Sequence, residues 1–334
     1  MKRKNHLIES VIQPDNLRLA FWKASKGKRY SRKVLAFQRD LDDNLLKLRK
    51  EIESGLIRVG DYRYFKIFDP KERLICSSAF DEQVLHHALM NICHADFERY
   101  QIYHSYASRK GKGTYAAISK AKQYSRNHKW YLKLDMRKYF ASIHHEVMKS
   151  QLSRMYKDNR LLEIFGKIID SYQASPRRGM PIGSLTSQYF ANHYLAKLDH
   201  MIKEDFKVKA YVRYMDDLVM WGNEKKSLKK LHNWVEDYVH TQLRLEIKPG
   251  QLNRTQNGLP FLGYKIFPHS IKLTQRSKRR FIKKIGEIEK NFHLGFWNEA
   301  TCQRRALALF AFIFHAETHG LRENIILRLN GLSS

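Results

Sequence analysis

The stretch Tyr211-Val-Arg-Tyr-Met-Asp-Asp-Leu-Val-Met220 places two adjacent carboxylates, Asp216 and Asp217, between two short apolar, β-favouring runs. The runs Tyr211–Tyr214 and Leu218–Trp221 read as strands joined at Met215-Asp216-Asp217. A buried strand avoids paired acids, because their repulsion and desolvation both cost free energy. At a hairpin tip the pair is explicable if a cation binds there. The plain alternative is a polar turn. A second acid weighs against it: Trp130-Tyr-Leu-Lys-Leu-Asp135 alternates as a short strand and ends on a carboxylate. If the two strands share a sheet, three carboxylates converge. Hard oxygen ligands of this kind hold Mg²⁺ beside phosphate oxygens. Two such ions stabilise the attacking and leaving oxygens of an in-line phosphoryl displacement.

Composition points to the same class of substrate. The chain has 334 residues, 62 Lys plus Arg against 33 Asp plus Glu, and a formal net charge of +29. That excess predicts a polyanionic partner, nucleic acid before an acidic membrane surface. The apolar run Ala306–Phe314 falls well short of the ~20 residues that span a bilayer. No long apolar segment follows the basic start, so no secretory signal is expected. Cys76, Cys93 and Cys302 are scattered and suit a reducing cytoplasm rather than a disulfide framework.

Outward from the carboxylates, the periodicities alternate irregularly between strand and helix, which predicts an α+β fold. Residues 15–55 read as mostly helical, with Leu41, Leu45, Leu48 and Ile52 at helical spacing. Tyr62–Asp69 and Arg73–Ser77 read as a hairpin around Pro70-Lys71-Glu72. Phe80–Tyr100 and Tyr115–Asn127 read as helices. Gly183–Asp205 reads as one helix with Leu185, Tyr189, His193 and Ala196 on a face. Phe261–Phe267 and Ser270–Leu273 read as a further hairpin. From Lys278, the spacing Phe281, Ile285, Ile288, Phe292 predicts an amphipathic helix, and a second covers about 299–318. His315-x-x-x-His319 has metal-ligand spacing but nothing completes a site, and His144-His145-Glu146 lacks the spacing of a zinc protease. Both are expected to be packing or surface histidines.

Five segments in order carry a resemblance. They are Arg73-Leu-Ile-Cys76 followed by Asp81, Leu134-Asp-Met-Arg-Lys-Tyr-Phe-Ala-Ser-Ile143, Pro181-Ile-Gly-Ser-Leu-Thr-Ser-Gln-Tyr-Phe-Ala-Asn192, Tyr214-Met-Asp-Asp217, and Leu245-Glu-Ile-Lys248 with Phe261-Leu-Gly-Tyr-Lys265. Together they resemble a reverse transcriptase over most of the chain. The resemblance implies a right-hand polymerase fold with an antiparallel palm sheet. Fingers would cover 1–128 with an N-terminal extension and an insertion at 151–178. Palm would cover 129–150 and 179–267, and a helical thumb 268–334. After Phe267 no room is expected for a ribonuclease H domain beside a thumb, so RNA removal and DNA nicking are expected from other proteins.

The palm motif narrows the resemblance. Intron and retron enzymes usually carry Gln-Gly and end the motif with Ser-Pro; this chain has Ile182-Gly183 and Ser187-Gln188. That form resembles the diversity-generating retroelement group. Its members copy a template-repeat RNA with frequent errors opposite adenine, and the cDNA rewrites a variable gene. Implied partners are template RNA, the RNA–DNA duplex, deoxynucleoside triphosphates and a small basic accessory protein, in the cytoplasm and with no membrane. Alternatives are a retron-like or phage-defence reverse transcriptase, a non-catalytic nucleic-acid scaffold and a membrane-surface binder.

The resemblance also assigns roles. Asp135 and Asp216 would ligate two Mg²⁺ ions, with Mn²⁺ as a substitute and Asp217 as a third participant. Phe140 would be the steric gate under the sugar, against the reading of an ordinary core Phe. Arg73 would cover the incoming base and triphosphate with its planar, forked charge, with Lys66 assisting. Lys248 would protonate the leaving pyrophosphate. Ile182 and Gln188 would line the nucleotide and template pocket. Leu262, Gly263 and Tyr264 would hold the primer end, with Gly263 permitting close backbone approach.

Overall fold

The computed structural model describes residues 3–68 and 72–329. The chain divides into two units, each assembled from separate segments. Unit one comprises Met1–Ser108, Asp135–Lys207 and Asn233–Lys248; unit two comprises Arg109–Leu134, Val208–His232 and Pro249–Ser334.

In unit one, helix Phe80–Tyr100 is buried along most of its length, on several faces and with some polar side chains inside. Val84, Leu85, Ala88, Leu89, Cys93 and Phe97 are all buried, as a central helix requires. It packs against helix Pro14–Ser25 and helix Leu185–Tyr194. Pro14 opens its helix at a position where a missing N–H costs nothing. Helix Leu41–Ser54 buries Leu45, Leu48 and Ile52, the expected stripe. The first hairpin is β1 (Tyr62–Ile67) against β2 (Arg73–Ser78), with Tyr62 opposite Ser78 and Ile67 opposite Arg73. Pro70 and Lys71 of its expected turn lie outside the described residues.

Helices His145–Met155 and Asn159–Asp170 occupy a stretch for which the sequence predicts no element. Asp158 joins them to the N-terminus. Its carboxylate accepts from Leu161 N at 3.1 Å, capping one helix, and from Leu7 N and Ile8 N at 2.7 and 3.0 Å. The single helix expected over Gly183–Asp205 is three pieces: Leu185–Tyr194, Ala196–His200 and a π-helical turn Met201–Asp205. It starts late because Gly183 has φ +118° and Ser184 is extended, neither of which fits a helix.

Unit two is built on a sheet of β3 (Trp130–Asp135), β4 (Tyr211–Tyr214), β5 (Asp217–Gly222) and β6 (Gln251–Arg254), in the order β4-β5-β3-β6. Strand β3 ends on Asp135, where the chain passes into unit one. Strands β4 and β5 are antiparallel and bury Tyr211, Val212, Leu218, Val219 and Met220 completely. This is the near-continuous apolar run of a sheet covered on both faces. Helix Thr114–Asn127 is tied to it, since Trp221 Nε1 donates to Ser125 Oγ at 3.0 Å.

The expected hairpin after residue 260 is a three-stranded sheet: β7 (Leu259–Phe261), β8 (Tyr264–Ile266) and β9 (Ile271–Leu273). Leu262 at φ +49° and Gly263 at φ +90° turn the chain and break the apolar run in two. Helices Gln275–His293, Glu299–Ile313 and His319–Leu329 follow. Thr274 and Asn298 cap the first two, accepting from Ser277 N at 3.2 Å and Thr301 N at 3.0 Å. Their shared core is Phe281, Ile285, Ile313 and Ile325. Phe292, at the end of the predicted stripe, is half exposed. The second helix stops at Ile313, whose carbonyl accepts from Thr318 Oγ1 at 3.0 Å. No described helix is long and apolar enough to cross a membrane.

Candidate active site

Each unit carries part of the expected site. In unit two, Tyr214 pairs with Asp217 across the β4–β5 hairpin, and Met215 and Asp216 form its tip. Met215 sits at φ +55°, a left-handed conformation that costs a non-glycine residue about 1 kcal/mol or more. The turn is held from below. Arg213 is fully buried, and its Nη1 donates to Met215 O at 3.1 Å. Tyr214 and Thr114 share a hydrogen bond between their hydroxyls at 3.0 Å. Lys133, on the neighbouring strand β3, places Nζ 3.2 Å from Asp217 Oδ1.

In unit one, Asp135 is met by Lys248. The segment Leu245–Lys248 runs antiparallel to residues 135–137: Lys248 N donates to Asp135 O at 2.9 Å and Arg137 N to Glu246 O at 2.8 Å. That pairing brings Lys248 Nζ to 2.5 Å from Asp135 Oδ2. Phe140 lies in the short helix Tyr139–Ser142, half buried and edge-on to Tyr139, with ring centroids 5.8 Å apart. Its carbonyl accepts from Met180 N at 2.7 Å, and Tyr139 Oη donates to Ala191 O at 2.5 Å.

Ile182 and Gly183 are fixed against the β1–β2 hairpin. Cys76 N donates to Ile182 O at 2.8 Å, and a Cβ on Gly183 would stand 2.8 Å from Cys76 O. Gln188 is exposed, and its Oε1 accepts from Ser108 Oγ at 3.1 Å. Arg73 is exposed at the start of β2. Lys66 is paired with Glu72 at 2.7 Å.

In unit two, the close approach that Gly263 allows is to the helices behind it. A Cβ there would meet Ser277 Oγ at 3.0 Å and Phe312 Cζ at 3.1 Å. Tyr264 is buried and donates to Phe312 O at 2.6 Å, and burial raises its phenol pKa. The discounted histidines pack as expected: His145 is buried between Asp170 and Gly179 O, and His315 stacks on Tyr115 at 3.5 Å.

Among the described residues, no three His, Cys, Asp or Glu side chains stand close enough to hold a metal ion. Asp135 and Asp217 each face a lysine instead. The donor chemistry of Asp135, Asp216 and Asp217, hard carboxylate oxygens, still suits Mg²⁺ rather than a softer metal. Lys133 and Arg213 are absent from the sequence reading. Lys133 was findable, because it lies two residues before Asp135 and so on the same strand face. Arg213 was signalled only by a charge inside an apolar strand.

The family model for reverse transcriptase (RNA-dependent DNA polymerase) matches residues 69–266. The chain belongs to the reverse transcriptase family. Its mixed helices and antiparallel sheets are those of the right-hand polymerase fold. This reverse transcriptase is 23% identical over 182 residues to a COX1/OXI3 intron 2 protein of Saccharomyces cerevisiae, covering 49% of this chain and 20% of that protein. It is 22% identical over 169 residues to the intron 1 protein of the same organism, covering 48% of this chain and 20% of that protein. The chain thus spans about a fifth of the length of the curated relatives it matches. Among solved structures, apo telomerase from Candida tropicalis aligns with a TM-score of 0.49 at 12% identity, covering 66% of this chain and 49% of that one.

Proposed function

We propose that the chain is the RNA-directed DNA polymerase of a diversity-generating retroelement, copying a template-repeat RNA into cDNA with errors concentrated opposite adenine. The observation that carries this is the palm motif, Ile182-Gly183 with Ser187-Gln188, inside a reverse transcriptase-family chain. Relatives with an amide at the first position can hydrogen-bond near the nascent pair. Isoleucine offers only a branched apolar surface. Losing that hold narrows the gap between right and wrong nucleotides, and ~1.4 kcal/mol of gap is tenfold in selectivity.

In this reading fingers are 1–128 and 151–178, palm 129–150 and 179–267, and thumb 268–334. Asp135, Asp216 and Asp217 would hold two Mg²⁺ ions, which supply charge neutralisation at the attacking and leaving oxygens. The primer 3′ hydroxyl gives up its proton to solvent water as its oxygen bonds to the α-phosphorus, and the bond to pyrophosphate breaks. Lys248, already beside Asp135, gives its proton to that leaving group. Arg73 covers the incoming base and triphosphate with Lys66 assisting, Phe140 sits under the sugar, and Ile182 and Gln188 line the nucleotide and template pocket. Leu262, Gly263 and Tyr264 place the primer end.

The test is primer extension on one RNA template with deep sequencing of the cDNA. Wild-type enzyme should give adenine-directed errors. Asp216→Asn keeps shape but removes a charge, so incorporation should fall about a hundred- to thousandfold while RNA binding survives. Near-normal extension by that variant would defeat the metal assignment. An intron-type reverse transcriptase is the second reading, favoured by the intron proteins among the relatives. It is supported instead if errors are spread evenly over the four template bases.

A further inference from the structure

Helix Phe80–Tyr100 carries Glu82 and His86 one turn apart, each side chain 1% exposed. Gly60 N donates to Glu82 Oε2 at 2.9 Å. The two remaining atoms, Glu82 Oε1 and His86 Nε2, are buried without another hydrogen-bond partner and stand 3.5 Å apart. On the far side of the ring, Nδ1 is 3.1 Å from Ser184 Oγ, and Ser184 Oγ is 3.0 Å from Thr186 Oγ1. A line of polar atoms therefore runs through the interior of unit one from Gly60 to Thr186. Ser184 directly follows Ile182-Gly183, whose backbone is pinned to Cys76 on its other side.

Proton counting constrains this line. Two facing buried acceptors cannot satisfy each other, so a proton must lie between Glu82 Oε1 and His86 Nε2. If Glu82 is protonated it donates to Nε2. The ring proton then sits on Nδ1 and points at Ser184 Oγ, and the Ser184 hydroxyl donates to Thr186. If Glu82 is ionised, the single ring proton moves to Nε2 to face it. Nδ1 becomes an acceptor, and the Ser184 hydroxyl must turn back to donate to His86.

We propose that Glu82 and His86 form a proton relay that positions Ser184, and through it the Ile182-Gly183 segment, with a hydrogen-bond direction that reverses when Glu82 ionises. Its kinetic consequence rests on the polymerase reading; the relay itself does not. Burial pushes the Glu82 carboxyl up to about 7, with the Gly60 N–H opposing and Asp81 and Asp61 reinforcing. Burial lowers His86, with His87 adding to the effect. Other ionisable groups facing this region are Tyr62 and Cys76 on the hairpin, and Lys23 and Lys28 acting on His87. The reversal thus falls in the neutral range, where the ring stays uncharged and only its tautomer changes.

The experiment uses the full chain. Nitrogen-15 NMR of the His86 ring between pH 5.5 and 8.5, assigned with His86→Asn, should show the proton moving from Nδ1 to Nε2. In Glu82→Gln the amide donates permanently to Nε2, so the ring should hold the Nδ1 tautomer throughout. In primer extension, KM for the incoming nucleotide should change about two- to tenfold across that range in wild type, the size of one hydrogen bond. It should stay flat in Glu82→Gln, with kcat following the same profile in both. Ser184→Ala, which keeps the buried pair, should lose the KM dependence but retain the tautomer change. A single His86 tautomer in wild type, or an unaltered KM profile in both variants, would overturn the relay. If wild type extends no primer, the polymerase reading fails and the tautomer measurement still decides the relay.

Discussion

Phe140 shows how one side chain separates a functional reading from a packing one. A core phenylalanine would be enclosed, as Phe165 and Phe190 are. Phe140 is half buried, with its backbone fixed by Met180 N and its ring against Tyr139. A ring held firmly yet left partly open is what exclusion of a 2′-hydroxyl needs. Phe140→Ala should admit ATP at least tenfold better relative to dATP, while dATP use falls less. The stability loss should stay below the 3–5 kcal/mol of a fully buried Phe→Ala. Single-nucleotide incorporation and a urea melt check both parts; unchanged discrimination would return Phe140 to the packing role. At this scale the sequence was most legible where chemistry conflicts with environment. Asp216-Asp217 between apolar strands and Asp135 at a strand end announce themselves. Lys133 and Arg213 do not, because a lysine on a strand face and an arginine in a strand acquire meaning only from their neighbours across the sheet.

Elements were legible where periodicity is unbroken and poorly legible where a backbone angle overrides it. Helix Phe80–Tyr100 and strand β3 match their expected bounds, because each is bounded by a change of pattern. The stretch Gly183–Asp205 reads as one continuous helix from its apolar spacing, yet Gly183 and Ser184 delay its start. A glycine's φ leaves no trace in a pattern of apolar residues. Gly183 is also where an element depends on one missing atom, since a Cβ would meet Cys76 O at 2.8 Å and Ile75 Cγ2 at 3.0 Å. The first contact is backbone and cannot swing aside. Gly183→Ala should therefore destabilise the fold by about 2 kcal/mol or more, from strain at positive φ plus the clash. Gly286→Ala, with open space at its Cβ and in a helix interior, should instead be neutral or stabilising by up to about 1 kcal/mol. Paired denaturant melts test the contrast; equal effects at the two sites would refute it.

For the molecule as a whole, charge was the most legible property and long-range assembly the least. Nothing in the sequence announces that Asp158 caps a helix and also ties down Leu7 and Ile8. The net charge of +29, by contrast, is read directly and favours a polyanionic partner. An interaction dominated by phosphate contacts is strong at low salt and weakly selective, because phosphates carry no sequence. If six or more phosphates are neutralised, affinity should fall by about a thousandfold between 50 and 200 mM salt. Under the proposed retroelement function, a small basic accessory protein would be repelled by this chain in solution, so the two should assemble through the RNA between them. That RNA can then supply the register and start site that a diffuse positive surface cannot. The isolated chain should accordingly bind many RNAs with a steep salt dependence and extend primers weakly. Addition of a small basic accessory protein and a structured template RNA should yield long cDNA from a defined start. Equally long, template-specific synthesis by the purified chain alone at 150 mM salt would contradict this, and would place selectivity in protein contacts with the bases.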